Sequence, residues 1–305
     1  MKKFLAYIRL PFELLGILLI IIIFRLMTLD MGAKFAAAIG RFSHRFAKPV
    51  NKRIRKNLKR AMPELTDLEV EKITGEMYET LAMVGCEYLN YNRLKMLAMT
   101  DRFEIEGLEH LEEIKKSGKP AILYSAHLAN WGIVTLLAAQ AGLHVTQLYR
   151  RFNNRIFDWY VGRLHENNKI EAIWKGAEGG KRAIKALREN RTLVMFVDQK
   201  LNEGDLIPFF GIPAKTPAAP ARLAIKMKCP LVPVQVIRKG TQTRFKIIIH
   251  PPMEHPTEGS IQDQVVALMT DVNKVIESWV RENPGAWLWA HNRWPKKKVP
   301  GDQND

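Results

Sequence analysis

Cysteine is scarce in this chain, which has two cysteines among 305 residues. Cys86 and Cys229 lie far apart and match no metal-ligand spacing. Both stand in apolar surroundings, so we expect two reduced thiols in the core. This excludes a small scaffold held together by disulfides and is consistent with a domain that faces the cytosol.

Internal repeats, low-complexity segments and recognised nucleic-acid-binding motifs are all absent from the sequence. Disorder is excluded as well, because hydrophobic residues make up 47% of the chain and long periodic segments recur throughout it. A chain of this length can hold one large α/β domain or two smaller ones.

Acidic residues are in short supply. The chain has 47 Lys and Arg against 31 Asp and Glu, which gives a formal net charge of +16. An excess of this size indicates a polyanionic partner, either nucleic acid or an anionic membrane surface.

Long hydrophobic runs are confined to the N-terminus. The apolar stretch covers residues 10–27, and its uninterrupted centre is Leu14–Phe24. This centre is short for a full span, but with the residues through Met31 the stretch reaches about 20 residues. A secretory signal peptide is the alternative, since an A-x-A-like cleavage site lies near Ala36–Ala38.

The residues that follow favour an anchor over an exported segment. Between Arg41 and Arg60 there are nine Lys and Arg and no acid. Positive segments beside a membrane stretch stay cytoplasmic and hold anionic headgroups. We therefore predict an N-terminal membrane anchor over residues 1–32, and nucleic acid is rejected as the partner.

The remaining sequence divides into a helical region and an α/β region. Residues 33–100 form a basic and amphipathic helical region, in which Thr66 and Glu69 have the spacing of a helix cap. From residue 101 to residue 305, short apolar runs alternate with helical patterns, which predicts an α/β/α sandwich over a mainly parallel sheet. The predicted strands are Phe103–Ile105, Ala121–Ser125, Val145–Tyr149, Ile170–Trp174, Leu193–Val197, Leu231–Ile237 and Phe245–Ile249. The predicted helices are Leu108–Lys116, Asn130–Ala141, Asn154–Glu166, Gly179–Arg188, Ala218–Lys226 and Ile261–Arg281.

A histidine follows the strand Ala121–Ser125, just before a helix begins. In open α/β sheets, ligands bind at the carboxyl ends of strands, where His127 lies. A histidine at that place can accept the proton of an attacking hydroxyl, because its pKa is close to the working pH. A structural histidine that caps a turn would have the same local sequence.

Several short motifs together resemble one family. The chain is similar to the late acyltransferases of lipid A biosynthesis and their lysophospholipid-acyltransferase relatives, over nearly its whole length. The segments that carry the resemblance are 57–65, 120–132, Tyr149 and Arg150, Asn154, Asp158 and Trp159, 162–164, Asp198 and Gln199, 208–211 with Thr216, and 287–294.

The resemblance implies a fold of the glycerolipid-acyltransferase type and a transfer of a fatty acyl chain to a hydroxyl of an anionic glycolipid. The donor implied is an acyl-acyl carrier protein, and no metal or organic cofactor is expected. The catalytic domain would face the cytoplasm at the bacterial inner membrane. Lysophospholipid and phosphatidylinositol-mannoside acyltransferases share these motifs and remain alternatives.

The resemblance also assigns residues to roles. His127 matches the general base, and Arg163 and Asp198 match positions that are essential in relatives. Asp198, which follows the strand Leu193–Val197, could position Arg163 or shape the site. The substrate-binding residues implied are Arg150, Arg163, Asn130 and Asn154, and the two arginines could hold phosphate through their planar forks of donors.

One position departs from the family. Relatives carry a carboxylate five residues after the histidine, where this chain has Gly132. That carboxylate orients the imidazole, so its loss leaves three interpretations: a substitution introduced to trap substrate, a natural loss of activity that leaves a binding protein, or replacement by another acid such as Asp198. If position 132 is the missing partner of His127, Gly132→Glu should raise the turnover rate.

The tail of the chain contains Trp287, Trp289 and Trp294. Tryptophan favours the membrane interface, but the same cluster could be ordinary core packing, and the sequence does not distinguish the two. Lys296–Lys298 is interpreted as a solvated or membrane-facing patch.

Overall fold

A computed structural model of the chain describes residues 18–98, 100–149, 155–174 and 176–295. The first 17 residues of the predicted anchor lie outside these ranges, as do Arg150, Asn154 and Lys296–Lys298.

The chain begins with a helical region. Its helices are α1 over residues 18–26, α2 (Leu29–Ser43), α3 (Lys48–Ala61), α4 (Asp67–Leu89) and α5 (Tyr91–Leu97), with a 3₁₀ turn at His44–Phe46 between α2 and α3. The predicted cap of α4 is confirmed, since Thr66 and Glu69 exchange side-chain and backbone hydrogen bonds in a capping box. Within the described ranges, no helix is both long enough and apolar enough to cross a membrane.

Helix α2 packs closely on α4 through a stripe of small residues. Its buried residues are Leu29, Gly32, Ala33, Ala36, Ala37 and Gly40. At Gly40 an added Cβ would lie 2.4 Å from the carbonyl oxygen of Tyr78, so only glycine permits this approach. The contact leaves the opposite face of α2 uncovered.

The α/β region contains all seven predicted strands, with ends displaced by at most one residue. The strands of the main sheet are β1 (Phe103–Glu106), β2 (Ala121–Ser125), β3 (Val145–Tyr149), β4 (Glu171–Trp174), β5 (Thr192–Phe196), β8 (Leu231–Arg238) and β9 (Phe245–Ile249). Their order is β1-β9-β8-β2-β5-β3-β4. The five strands from β8 to β4 are parallel, while β9 is antiparallel to β8 and β1 is parallel to β9. The prediction of an α/β fold with a mainly parallel sheet is confirmed.

The predicted helices are also present, with ends displaced by at most two residues. They are α6 (Leu108–Ser117), α7 (Gly132–Gln140), α8 (Arg155–Asn167), α9 (Ala177–Arg188), α10 (Ala219–Met227) and α11 (Ile261–Glu282), and a 3₁₀ turn follows at Pro284–Ala286. Helix α7 begins at Gly132 and not at Asn130, because the Asn130 side chain accepts a hydrogen bond from the Gly132 N–H and so occupies the end of the helix.

A two-stranded hairpin was not predicted. Its strands are β6 (Asp205–Phe209) and β7 (Ile212–Thr216), in which Pro208 is paired with Pro213. Prolines lower the expectation of a strand because they cannot donate to a ladder, yet a two-stranded hairpin has free edges that tolerate them.

The tryptophans of the tail belong to the core. Trp287, Trp289 and Trp294 are 1%, 0% and 4% exposed, and Trp287 and Trp289 meet edge-to-face. Core packing is therefore the correct interpretation of this cluster. Cys86 and Cys229 are buried and free, as predicted, and burial raises the pKa of the Cys86 thiol to about 12.

Candidate active site

The candidate site lies where two neighbouring strands are continued in opposite directions. Strand β2 leads through α7 to β3 on one side, whereas β5 leads to β8 on the other, although β2 and β5 are adjacent in the sheet. Such a switch point opens a crevice at the carboxyl ends of the strands. The last residues of the two strands, Ser125 and Phe196, are register partners, and His127 and Asp198 each follow two residues later.

His127 and Asp198 are joined by two hydrogen bonds. The Nδ1 atom of His127 lies 2.8 Å from Oδ1 of Asp198, and the backbone N–H of His127 donates to Oδ2 over 2.9 Å. Asp198 is 1% exposed, and its Oδ2 also accepts from the indole N–H of Trp287 at 2.8 Å. Three donors thus fix the carboxylate, and the carboxylate in turn fixes the imidazole.

The bond to Asp198 sets the tautomer of His127. An ionised carboxylate can only accept, so the proton of a neutral imidazole is on Nδ1 and the lone pair is on Nε2. Burial alone would raise the pKa of Asp198, but His127 and the donated hydrogen bonds outweigh it and hold that pKa well below its usual range. Asp198 is therefore an anion at neutral pH, and Nε2 is available as a base.

The side of the imidazole away from Asp198 meets Gln199, whose amide nitrogen lies 3.3 Å from Nε2. The ring also contacts the rings of Trp131 and Phe196, both at 5.2 Å between centroids. His127 itself is 15% exposed. The imidazole is thus held on three sides and accessible from one.

The loop that carries His127 is tied to the end of the chain. The Ala129 N–H donates to the Ala286 carbonyl at 3.0 Å, and Leu128 forms a β-bridge with Trp287. Ala129 has φ +46°, a left-handed conformation that alanine seldom adopts. The loop is strained at Ala129 and held by its surroundings, as is common at functional sites.

A groove opens beside His127. It contains about 170 Å³ of empty space, and its lining is mostly apolar. Its lining residues are Met77, Thr80 and Leu81 of α4, His127, Trp131, and the segment 286–288. An apolar groove that ends at a base could receive an alkyl chain.

Gly132 stands against a tyrosine. A Cβ at position 132 would lie 2.6 Å from Oη and 3.0 Å from Cζ of Tyr88. The phenol therefore occupies the space that a side chain at this position would enter, and Asp198 already occupies the Nδ1 side of the imidazole. Of the three interpretations of Gly132, this geometry favours the one in which Asp198 takes the place of the missing acid.

Asn130 does not have the environment expected of a substrate ligand. It is 1% exposed, its Nδ2 donates to Glu87 at 2.7 Å, and its Oδ1 accepts from Gly132 at 3.1 Å. Both ends of the amide are used within the protein, so Asn130 supports the loop from beneath.

Arg163 lies on α8 with its side chain 61% exposed. Its described contacts are Glu166 at 3.3 Å and the ring of Trp159. The contact with Asp198 that the sequence suggested is not observed among the described residues, because the three bonds to Asp198 come from His127 and Trp287. Arg150 and Asn154 lie outside the described residues, so their roles stay predictions.

Two parts of the site were missed in the sequence. Trp287 was interpreted as interface or core, although an indole N–H is also a donor that must find a partner when buried. Glu87 follows Val84 by three residues on the apolar stripe of α4, and an acid on a buried stripe is a sign of a fixed partner. Among the described residues there is no group of three or more His, Cys, Asp or Glu that could hold a metal ion.

Comparison with known proteins gives one family. The family model for bacterial lipid A biosynthesis acyltransferases matches residues 1–296. The lipid A biosynthesis myristoyltransferase of Escherichia coli (strain K12) is 25% identical over 276 residues, which cover 87% of this chain and 81% of that protein. The palmitoleoyltransferase of the same organism is 24% identical over 86% of this chain and 84% of that protein.

Two further similarities are more distant. A phosphatidylinositol mannoside acyltransferase of Mycobacterium tuberculosis (strain ATCC 25618 / H37Rv) is 23% identical over 67% of this chain and 63% of that protein. Among solved structures, the 1-acyl-sn-glycerophosphate acyltransferase PlsC of Thermotoga maritima aligns with a TM-score of 0.40 and 17% identity, over 84% of this chain and 99% of that chain.

Proposed function

Because the chain belongs to the family of bacterial lipid A biosynthesis acyltransferases and is therefore an O-acyltransferase, we propose that it transfers a fatty acyl chain from an acyl-acyl carrier protein to a hydroxyl of a lipid A precursor. His127 is the general base of this proposal. The observation that carries it is the pairing of His127 Nδ1 with the buried Asp198, which leaves Nε2 free to accept a proton.

The reaction follows from that geometry. The acceptor hydroxyl donates its proton to Nε2 of His127 while its oxygen attacks the thioester carbonyl carbon. The resulting imidazolium is stabilised by the Asp198 carboxylate, and it returns the proton to the thiolate as the carbon–sulfur bond breaks. The ester and the free thiol are the products, and no group outside the two substrates is consumed.

The apolar groove supplies a place for the acyl chain. Its lining by Met77, Leu81 and Leu288 suits an alkyl chain whose thioester end reaches His127. The acceptor is anionic, and the exposed guanidinium of Arg163 is proposed to hold one of its phosphates, together with Arg150 and Asn154. The acidic carrier protein would be attracted by the net charge of +16.

A membrane location is supported by the uncovered face of α2. Along this face Met31, Phe35, Ile39 and Phe42 follow one another at helical spacing and are 55%, 44%, 46% and 59% exposed. Phe46, in the next turn, is 70% exposed. An amphipathic helix of this kind lies in the interface with its apolar side in the lipid, and the basic helix α3 that follows would meet anionic headgroups.

The test is a transfer assay with the purified full chain. Acyl-acyl carrier protein is offered with a lipid A precursor, with a lysophospholipid or with phosphatidylinositol mannoside, and the products are identified by mass spectrometry. We expect acylation of the lipid A precursor, a loss of activity in His127→Ala, and a fall of about 10⁴-fold in Asp198→Asn, because an amide stabilises the wrong tautomer.

Other outcomes of the assay would contradict the proposal. Acylation of the lysophospholipid or of the mannoside alone would replace the acceptor. Full activity in His127→Ala would remove the general base. Acyl carrier binding with no transfer to any acceptor would favour the binding protein over the enzyme.

A further inference from the structure

Beneath the His127 loop lies a buried ion pair that the proposed reaction does not use. Glu87 of α4 is 0% exposed, and Arg238 at the end of β8 is 9% exposed. The guanidinium donates to both carboxylate oxygens of Glu87, at 2.8 Å and 2.6 Å, and it also stacks over the ring of Phe245. Such a pair carries a large desolvation penalty, so its retention in a core raises the question of what it holds in place.

The pair holds Asn130. Oε2 of Glu87, which already accepts from Arg238, also accepts from Nδ2 of Asn130 at 2.7 Å. The other end of the amide accepts from the Gly132 N–H and so closes the start of α7. Asn130 stands three residues after His127, so it fixes the far end of the loop that His127 begins.

The loop is therefore held at both ends by acids from different elements. Asp198 after β5 holds the imidazole, and Glu87 from α4 holds Asn130. Between them the strained Ala129 is tied to Ala286. Asp198 fixes the tautomer, but a single bond at Nδ1 leaves the ring free to swing with its loop, and the second tie removes that freedom.

Helix α4 also forms one wall of the groove. Met77, Thr80 and Leu81 lie on the same helix as Glu87, about two turns earlier. A bond from this helix to the His127 loop sets the distance between the acyl chain in the groove and the base that acts at its thioester end. Misplacement by about 1 Å can cost 10²-fold in rate, so such a bond has a catalytic effect without contact with substrate.

We propose that Asn130 is a positioning residue for acyl transfer, and that the buried Glu87–Arg238 pair acts on His127 through it. This inference rests on the proposed function of His127. It deepens that function by adding a second carboxylate that serves the base at a distance, and it reassigns Asn130 from substrate binding to positioning.

Asn130 can be tested without removing the ion pair, since Glu87 keeps its two bonds to Arg238 when Asn130 is replaced. Asn130→Ser keeps an oxygen that can cap α7 but is too short to reach Glu87. Asn130→Asp keeps the capping oxygen and places a second carboxylate against Glu87. Both variants separate the bond to Glu87 from helix capping.

The experiment measures kcat and KM of the full chain with acyl-acyl carrier protein and lipid A precursor, the pH profile of kcat, and the thermal unfolding midpoint. We expect Asn130→Ser and Asn130→Asp to lower kcat by about 10- to 100-fold and to change either KM by no more than about twofold. The midpoint of the pH profile should stay in place, because the His127–Asp198 pair is intact in both variants.

Asn168→Ala is the matched control, since Asn168 is also a buried asparagine whose Nδ2 donates one bond, in its case to the Leu164 carbonyl at 2.7 Å. It should lower the unfolding midpoint and leave kcat unchanged. An equal fall of kcat in this control would overturn the proposal, as would a rise in KM at constant kcat in the Asn130 variants, which would mark a substrate contact. Wild-type kcat in both Asn130 variants beside an inactive His127→Ala would overturn the positioning role alone, whereas an active His127→Ala would overturn the proposed function.

Discussion

At the scale of single residues, Gly132 is where the structure changes an expectation. Gly132→Glu was expected to raise turnover by restoring an acid beside His127. A side chain there meets Oη of Tyr88 at 2.6 Å, and Nδ1 of His127 already has Asp198 as its partner. We now expect Gly132→Glu to lower the free energy of unfolding by about 1–3 kcal/mol, as overpacking does, with no gain in kcat. Chemical denaturation and single-turnover rates measure the two effects.

The double variant Gly132→Glu with Tyr88→Ala is the control for space. Removing the phenol gives the glutamate room, so stability should recover relative to Gly132→Glu alone. A rise of kcat in Gly132→Glu with unchanged stability would show that Tyr88 yields and that position 132 is an acid site after all.

His165 provides a pH-dependent readout of stability. Burial lowers the pKa of His165 to about 4, and its Nδ1 has no hydrogen-bond partner. Because the ordinary pKa is 6.5, the unfolded chain binds more protons than the folded one between pH 4 and pH 6.5. The contribution of His165 to stability therefore falls as the pH drops through this window, by about 3 kcal/mol at most.

His165→Phe should remove that dependence while keeping the edge-to-face contact with Tyr149. The measurement is the urea midpoint of both proteins at several values between pH 4 and pH 7. The wild type should lose more stability than the variant on acidification, and parallel curves would show that His165 is protonated without cost.

The residues of the site could be named from the sequence, but most of their contacts could not. His127 and Asp198 were both found because each follows an apolar strand, and strand ends bind ligands. Their bond depends on β2 and β5 being neighbours although β3 and β4 lie between them in the chain. The order of strands is a long-range property, so Asp198 was first assigned to Arg163, and its partners Trp287 and His127 appeared only in the folded chain.

At the scale of elements, periodicity predicted what the core requires and missed what two residues can impose. Strands such as Leu231–Arg238 are continuous apolar runs and were found. The hairpin β6–β7 was missed because its two-residue turn is Phe210–Gly211, both with positive φ of 54° and 70°. Turns of this type usually carry Asn-Gly, so a phenylalanine gave no signal. Its conformation is supported by the Phe210 N–H, which donates to Glu277 at 2.7 Å.

Arg293 connects this hairpin to the C-terminal segment. It is 0% exposed, donates to the Lys215 carbonyl at 2.9 Å and to Thr216 Oγ1 at 2.7 Å, and stacks over Phe209. Arg293→Lys keeps the charge but loses the fork and the flat contact, so we expect the free energy of unfolding to fall by about 2–3 kcal/mol. Denaturant titration measures this change.

The half-exposed Arg55, which pairs with Glu71 at 2.9 Å, provides the comparison. Arg55→Lys should change stability by no more than about 0.5 kcal/mol, as is usual for surface pairs. Equal losses in Arg55→Lys and Arg293→Lys would show that the buried contacts of Arg293 contribute nothing beyond a positive charge.

At the scale of the whole molecule, apolar and basic surfaces adjoin in the helical region. The small residues of α2 face α4, so its large apolar residues face outward, and the exposed residues of α1 include Leu18, Leu19, Ile22, Ile23 and Leu26. Helix α3 follows with seven Lys and Arg in 14 residues and no acid. The net charge alone could not locate this arrangement, because it is produced by the pairing of α2 with α4. An apolar face next to a cationic helix is suited to an anionic bilayer.

This arrangement predicts how the full chain binds lipid vesicles. In the double variant Phe35→Asp with Phe42→Asp, two exposed rings that would enter the lipid are replaced by charges. Each ring contributes about 1.5–3 kcal/mol when buried, so binding to vesicles that contain an anionic phospholipid should weaken at least tenfold in a flotation assay. Stability in solution should not fall, because neither side chain is part of the core. The control Leu68→Asp with Ile261→Asp adds the same charges at residues that are 82% and 57% exposed on α4 and α11. It should bind like the wild type. Equal weakening in both double variants would reduce the effect to charge, and unchanged binding in the α2 variant would leave the attachment to the segment before residue 18 alone.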